Sequence, residues 1–555
     1  MEEITKTAGG LFDVQRSERR GYTVTGDFSY VVFNSADSGE ILAIITAYNG
    51  HSSVINFPAY IDGFKVIQIG SYNHGSGLNI SDDMLNSIFE VDIPGSIENI
   101  GSSAFSNCKN LKRVKLHNGL KRIGFGCFRC CESLEQLDIP DTVEVIERSA
   151  LYQTGIKEIK FPREMKTISD SIFQMCRSLK KVIFPENVES IGYSFYDSNT
   201  ALEEIVLSSE KIQYYAPGNN YSKTPWYNKQ PFGWLYLGDC LIGYKENPDN
   251  NLDVYDDNGE YIGGKEIGFK IKKGIKKILY VPSDINIGED VVIPDGVTVI
   301  GVAAFRGNEY IKNLTIPTSV NKICESAFSL NEKLCNLLIK STEETVLDIA
   351  SMRGCGMTTL TIDGNVKTIE NAAITRCYNL KTITINGSID RIARSAIGEN
   401  ENCSSIVFGG DINLIDIEGF CSCENVTDVE IKGNIDKVIY REIVDYKQYW
   451  ENKYPVYGED KEASIEDIEQ GLFDEFKSLR CIKVHTEKMK NYCEQHNYPY
   501  EFIEDTKPTC KSAKKSSSSE NSAPAVKMKF CPFCGGKLVA NALFCAFCGE
   551  KIPVM

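Results

Sequence analysis

Between Val91 and Leu207 the chain repeats itself at a nearly constant interval, and this constrains the fold more than any other property of the sequence. In the core "I-G-x-x-A-F", the isoleucine recurs at Ile100, Ile123, Ile146, Ile168 and Ile191, in steps of 23, 23, 22 and 23 residues. The pattern returns at Ile300, Ile323, Val346, Ile369, Ile392, Ile415 and Val438, in six steps of 23. A fixed period of this length means stacked units, each burying its apolar face only against its neighbours.

Other columns travel with this anchor. Five residues on comes a large apolar group (Phe105, Phe128, Leu151, Phe173, Phe305, Phe328, Ile374, Ile397, Phe420), preceded by a small one such as Ala104, Ala304 or Ala373. Further on, Val114 and Leu116, Leu137 and Ile139, Val182 and Phe184, and Ile383 and Ile385 alternate with polar residues, the mark of a half-buried strand. The Ala-Phe pair sits in a segment too short for a long helix, so one short helix or turn is expected per unit. The unit anchored at Val346 reads as the most eroded, with Ser351 and Gly354 in place of the large apolar residue and of the next column's polar one.

That polar column lies eight residues past the anchor: Cys108, Cys131, Cys176, Asn199, Asn308, Asn331, Cys377, Asn400 and Cys423. Side chains here are expected to turn inward and bond the backbone of a neighbouring turn, since buried N–H and C=O groups need partners. This column and the wording "IPxxVxxIGxxAFxxCxxL" resemble the BspA-like class of leucine-rich repeats. The resemblance covers roughly residues 50 to 440, with a break, and implies an α/β-type solenoid of strand plus short helix or turn. It says little about function, because such scaffolds carry many.

The expected organisation is an N-terminal cap over 1–90, a first repeat block over 91–207, an aromatic β-rich insertion over 208–290 and a second block over 291–439. A C-terminal cap over 440–506 then leads into a flexible Ser/Lys linker over 507–529 and a zinc ribbon over 530–555. The insertion holds Trp226 and Trp234 and reads either as a hairpin with its own aromatic core or as a protrusion with exposed aromatics. In the C-terminal cap, CIKVHTEKMKNYCEQHNYPYEFIED reads as strand, helix, strand.

The strongest chemical motif is FCPFCGGKLVANALFCAFCGEKI, where Cys531-x2-Cys534 and Cys545-x2-Cys548 are matched pairs, each followed by glycine. Four thiolates at this spacing suit tetrahedral Zn²⁺ with closed coordination, so the expected role is structural. A redox C-x-x-C pair is the rival. It is disfavoured because so short a segment needs a metal to fold.

No phosphate-binding loop, dinucleotide fingerprint or H-E-x-x-H motif occurs, so no enzyme is expected. The formal charge of −16 disfavours nucleic acid along the body of the chain. The start, MEEITKTAGGLFDVQRSERRG, lacks the apolar core of a signal peptide, and a cytoplasmic protein is expected. Most of the 20 cysteines then read as free, buried thiols.

The leading functional expectation is a protein–protein interaction scaffold using outward strand residues. In the first block these are Arg113, Lys115, Gln136, Asp138, Glu158, Lys160 and Lys181; in the second, Thr315, Thr359, Thr361, Thr382, Thr384 and Ser405. The first set is charged and mixed, the second neutral and rich in hydroxyls. Two alternatives remain open: a nucleic-acid-linked regulator acting through the ribbon and the lysine-rich linker, and a surface adhesin if the chain is exported, as members of the resembling family often are.

Overall fold

A computed structural model of the chain describes residues 4–6, 12–14, 22–35, 38–71, 77–193, 199–216, 221–249, 252–255, 261–441, 443–445, 456–457 and 460–504. Each turn of the coil presents three walls around an apolar interior. One is the strand wall, made in the second array of a parallel run from Asp290–Val292 through Asn313–Ile316, Asn336–Lys340, Thr359–Asp363, Thr382–Ile385, Ser405–Phe408 and Asp428–Ile431. The anchor wall stacks short strands such as Val299–Ile300, Lys322–Ile323 and Val346–Leu347.

The third wall corrects the α/β expectation: it is built of turns, joined in the second array by a short parallel sheet of Ile374–Thr375, Ile397–Gly398 and Phe420–Cys421, and the coil is a β-solenoid with little helix. Among the described residues the α-helices are Asp82–Leu85, Pro225–Lys229 and Glu487–Gln495, outside both 91–207 and 291–439. The cause is a backbone periodicity. In most units the third and seventh residues after the anchor have positive φ, as at Ser103 (54°) and Asn107 (65°), Ser326 (55°) and Leu330 (63°), or Ala372 (55°) and Arg376 (57°). Two left-handed residues per turn cannot belong to a right-handed helix. They aim alternate N–H groups at the next turn: Ser103 N donates to Phe125 O, Phe105 N to Cys127 O and Asn107 N to Arg129 O, at 2.7–2.9 Å.

The same periodicity corrects the anchor expected at Val346. Leu347 pairs with Ile323 and Ile369 and is fully buried, while Val346 is half-buried. Counted from Leu347, the left-handed residues are Ala350 and Gly354, the small residue is Ser351, the large one Met352 and the polar one Cys355. The unit is therefore intact and shifted by one residue, with a step of 24 before it and 22 after it. Gly356 makes the short step: a Cβ there would lie 1.7 Å from Glu332 O. The 22-residue step after Ile146 uses Gly155, whose Cβ would meet Glu132 O at 2.3 Å.

Between the arrays, Trp226 is buried on the short helix Pro225–Lys229, packs on Tyr221 at 4.9 Å and donates its backbone N–H to Leu202 O. The buried Lys245 caps that helix, donating from Nζ to Tyr227 O (2.8 Å) and Gln230 O (2.7 Å). The hairpin Gly233–Leu237/Cys240–Lys245 contributes Leu241 to the core of the second array, and Leu235, Leu237 and Ile242 to the core of the first. Trp234 meets Tyr244 and Phe269 edge-on. At the far end Cys481–Val484, the helix Glu487–Gln495 and Tyr500–Phe502 form the strand–helix–strand unit that the sequence predicts, and complete a nine-stranded strand wall.

Candidate functional site: the strand walls

On the second strand wall, register brings the predicted threonines together: Thr359 stands beside Thr382, and Thr361 beside Thr384, on adjacent parallel strands. All four are half-buried, as are Thr315 and Ser405 in the same rows. Inward neighbours such as Leu360, Ile362, Ile383 and Ile385 are fully buried, which leaves the threonines no alternative face. One row continues as a hydrogen-bond chain that the sequence reading missed. Asn313 Nδ2 donates to Asp290 Oδ1 (2.6 Å), Asn336 Nδ2 to Asn313 Oδ1 (2.7 Å) and Thr359 Oγ1 to Asn336 Oδ1 (2.8 Å). The available signal was the recurrence of Asn313 and Asn336 at the 23-residue interval that leads to Thr359.

The first strand wall is different in kind. Arg113 and Lys115 both hold Glu90, at 2.6 and 2.7 Å, and His117 Nε2 lies 2.8 Å from Asp92. Lys115 and then Arg113 keep the Glu90 carboxyl below the ordinary carboxylate range. Lys181 pairs with Glu204 at 3.0 Å. Gln136, Asp138, Glu158 and Lys160 instead line an open groove of about 790 Å³ together with Leu137 and Phe161. There the wall is interrupted: no strand pairing links Arg113–Leu116 to Glu158–Lys160, which belong to separate three-stranded sheets. The structure thus divides the predicted first set between ion-paired cations and a groove.

The inward column behaves as its chemistry predicts. Most of its side chains reach the carbonyl of the large apolar residue one turn back: Cys131 Sγ to Phe105 O, Cys176 Sγ to Leu151 O, Cys355 Sγ to Phe328 O, Cys377 Sγ to Met352 O, Asn199 Nδ2 to Phe173 O and Asn400 Nδ2 to Ile374 O. Asparagine adds an acceptor: Asn331 Oδ1 takes Asn308 N–H at 2.6 Å, and Asn400 Oδ1 takes Cys377 N–H at 2.9 Å. The Nδ2 groups of Asn308 and Asn331 find no partner among the described residues. Burial pushes the Cys108 and Cys423 thiols up to about 12, so both stay protonated. The fifteen cysteines among the described residues are unbridged.

Among the described residues no cluster of His, Cys, Asp and Glu is arranged to hold a metal ion, and no helix is long and apolar enough to cross a membrane. Cys531, Cys534, Cys545 and Cys548, the expected zinc ligands, lie outside the described residues.

The BspA type leucine-rich repeat region matches this chain over residues 84–216, 284–351 and 345–443. Among solved structures, a leucine-rich repeat protein from Bacteroides ovatus is 18% identical, covering 74% of this chain and 94% of its own, with a TM-score of 0.29. A leucine-rich cell surface protein from Faecalibacterium prausnitzii is 18% identical, covering 87% and 99%, with a TM-score of 0.28. No curated protein matches the chain.

Proposed function

The chain belongs to the BspA-type leucine-rich-repeat family, and from that premise we propose that it is a non-enzymatic protein-binding scaffold whose ligand lies along the second strand wall. The observation that carries the reading is the in-register block Thr359, Thr361, Thr382 and Thr384. Each hydroxyl offers a donor and two acceptor sites, and each β-branched side chain is held stiffly on a packed strand. Such a surface pays little ordering entropy when a partner docks. On the first wall, Arg113, Lys115 and Lys181 spend their charge on their own acidic neighbours, which suits them to steering and register more than to affinity. The groove of Gln136, Asp138, Glu158 and Lys160 supplies a secondary contact.

A photoreactive residue placed at Thr361 or at Thr384 tests this in lysate, with the exposed Glu325 as the control position. The expected outcome is capture at both threonines that disappears on Thr359→Lys/Thr382→Lys, and no capture at Glu325. Capture at Glu325 equal to that at the threonines, or none at either threonine, removes the reading.

For residues 530–555 the proposal is one structural Zn²⁺ held by Cys531, Cys534, Cys545 and Cys548. What supports it is the donor set: four thiolates leave no open position for water or substrate. Metal analysis should find one zinc per chain, and chelation should leave the melting of the repeat arrays unchanged. A pure protein without bound metal, or a repeat array that melts on chelation, overturns it.

A further inference from the structure

The wall of left-handed turns carries a groove of about 640 Å³ at the unit anchored by Leu347. Composition cuts it. In the seventh column after the anchor, Gly354 stands between Leu330 and Arg376; in the ninth, Gly356 stands between Glu332 and Tyr378. Two side chains are thus missing from one turn while both neighbouring turns keep theirs. The walls left standing are apolar and accessible: Leu330 is 48% exposed and Tyr378 52%, among the most exposed large apolar residues described.

Arginines surround this dent. Arg306 and Arg353, both in the sixth column, line it and are exposed, and neither has an ion-pair partner among the described residues. Arg376 also lines it and holds Glu399 at 2.6 Å. Glu332 is the carboxylate on the rim. In a chain of net charge −16, two unpaired arginines beside exposed Leu and Tyr side chains form a local site of opposite sign.

We propose that this groove is a second docking site, taking an acidic peptide segment that bears an aliphatic or aromatic side chain. That side chain enters over the glycine floor between Leu330 and Tyr378, as a buried anchor does at a protein interface. Carboxylates on either side of it meet Arg306 and Arg353, whose forked N–H groups match carboxylate geometry. The site is separate from the threonine block, so either can fail while the other stands.

The full chain is titrated at low salt with a fluorescent peptide of six glutamates around a central leucine. Controls are its all-lysine counterpart and a version with serine replacing the leucine. Binding of the leucine peptide is expected, with the serine version weaker and the lysine version absent. Arg306→Glu/Arg353→Glu should weaken binding by about tenfold or more, a change of about 1.4 kcal/mol per decade. Leu330→Ser should weaken it by a smaller factor, and Thr361→Lys should leave it unchanged. All these positions are exposed or half-buried, and an unchanged circular dichroism melt confirms folding; Arg353→Gln serves if the double reversal melts early. No binding at low salt, unchanged binding by the double variant, equal binding of the serine peptide, or displacement by inorganic phosphate where chloride has no effect would each overturn the proposal.

Discussion

Both arrays contain a step of 22 residues, and they absorb it differently. In the second array the short step from Leu347 to Ile369 follows a long one from Ile323, so the deficit is cancelled within one unit and the walls run on: Val346 and Leu347 pair with Thr368 and Ile369, and Asn336–Lys340 pairs with Thr359–Asp363. In the first array the step from Ile146 to Ile168 follows an ordinary one. The anchor wall stops at Val145–Ile146 and restarts as a separate sheet at Thr167–Ile168. Across that seam Ser169 Oγ donates to Ile146 O at 2.6 Å, where other turns use a backbone N–H, as Gly124 N does to Ile100 O. One deleted residue is tolerated by a stack only where another is inserted close by; otherwise a ladder opens. The two arrays also hold separate apolar clusters, so a difference between their ladders should be measurable as a difference in stability.

The most severe test is a methyl group at each short step. Gly356→Ala drives a Cβ to 1.7 Å from Glu332 O between two locked turns, and should destabilise the second array by about 3 kcal/mol or more. Gly155→Ala meets Glu132 O at 2.3 Å beside an open seam that can give, and should cost about 1–2 kcal/mol. Urea unfolding followed by hydrogen exchange reads the two arrays separately; equal losses would break the comparison. Next in size is the inward column. Asn400→Ala strands both Cys377 N–H and Ile374 O, for about 2–3 kcal/mol. Cys131→Ala removes a single thiol donor to Phe105 O, for about 1 kcal/mol.

The seam itself should respond to Ser169→Ala. The loss should be about 1 kcal/mol, with faster amide exchange confined to the turns around Ile146 and Ile168. Exchange that speeds equally in the second array would mean that no seam exists. The smallest effect is that of pH. The folded Glu90 carboxyl lies below its ordinary value of 4.5, so it binds protons less readily than in the unfolded chain. Its contribution is fully present above that value and is lost as pH falls through the folded pKa. Acid should therefore weaken the first array by an increment that Glu90→Gln abolishes.

Much of this architecture could be read before any coordinates. The inward donors at Cys131, Cys176 and Asn400 were legible because a short polar side chain recurs at one position of the period, opposite the same carbonyl one turn back. The helical expectation for the third wall failed for a local reason. Serine and alanine at Ser103, Ser326 and Ala372 do not announce a positive φ, although Gly126, Gly307 and Gly354 fall in the same two columns and were the available signal. The anchor at Leu347 was hidden because Val346 beside it is equally apolar; only pairing with Ile323 and Ile369 distinguishes them.

The sequence by itself determined the period, the interior columns and the outward threonines, because each follows from what recurs at a fixed interval along one chain. Only the tertiary structure decided where the ladders stay closed and where a groove opens. A hydrogen bond across turns depends on the residue count of two successive units taken together. A groove depends on side chains missing at Gly354 and Gly356 while Leu330, Glu332, Arg376 and Tyr378, one turn away on either side, are present.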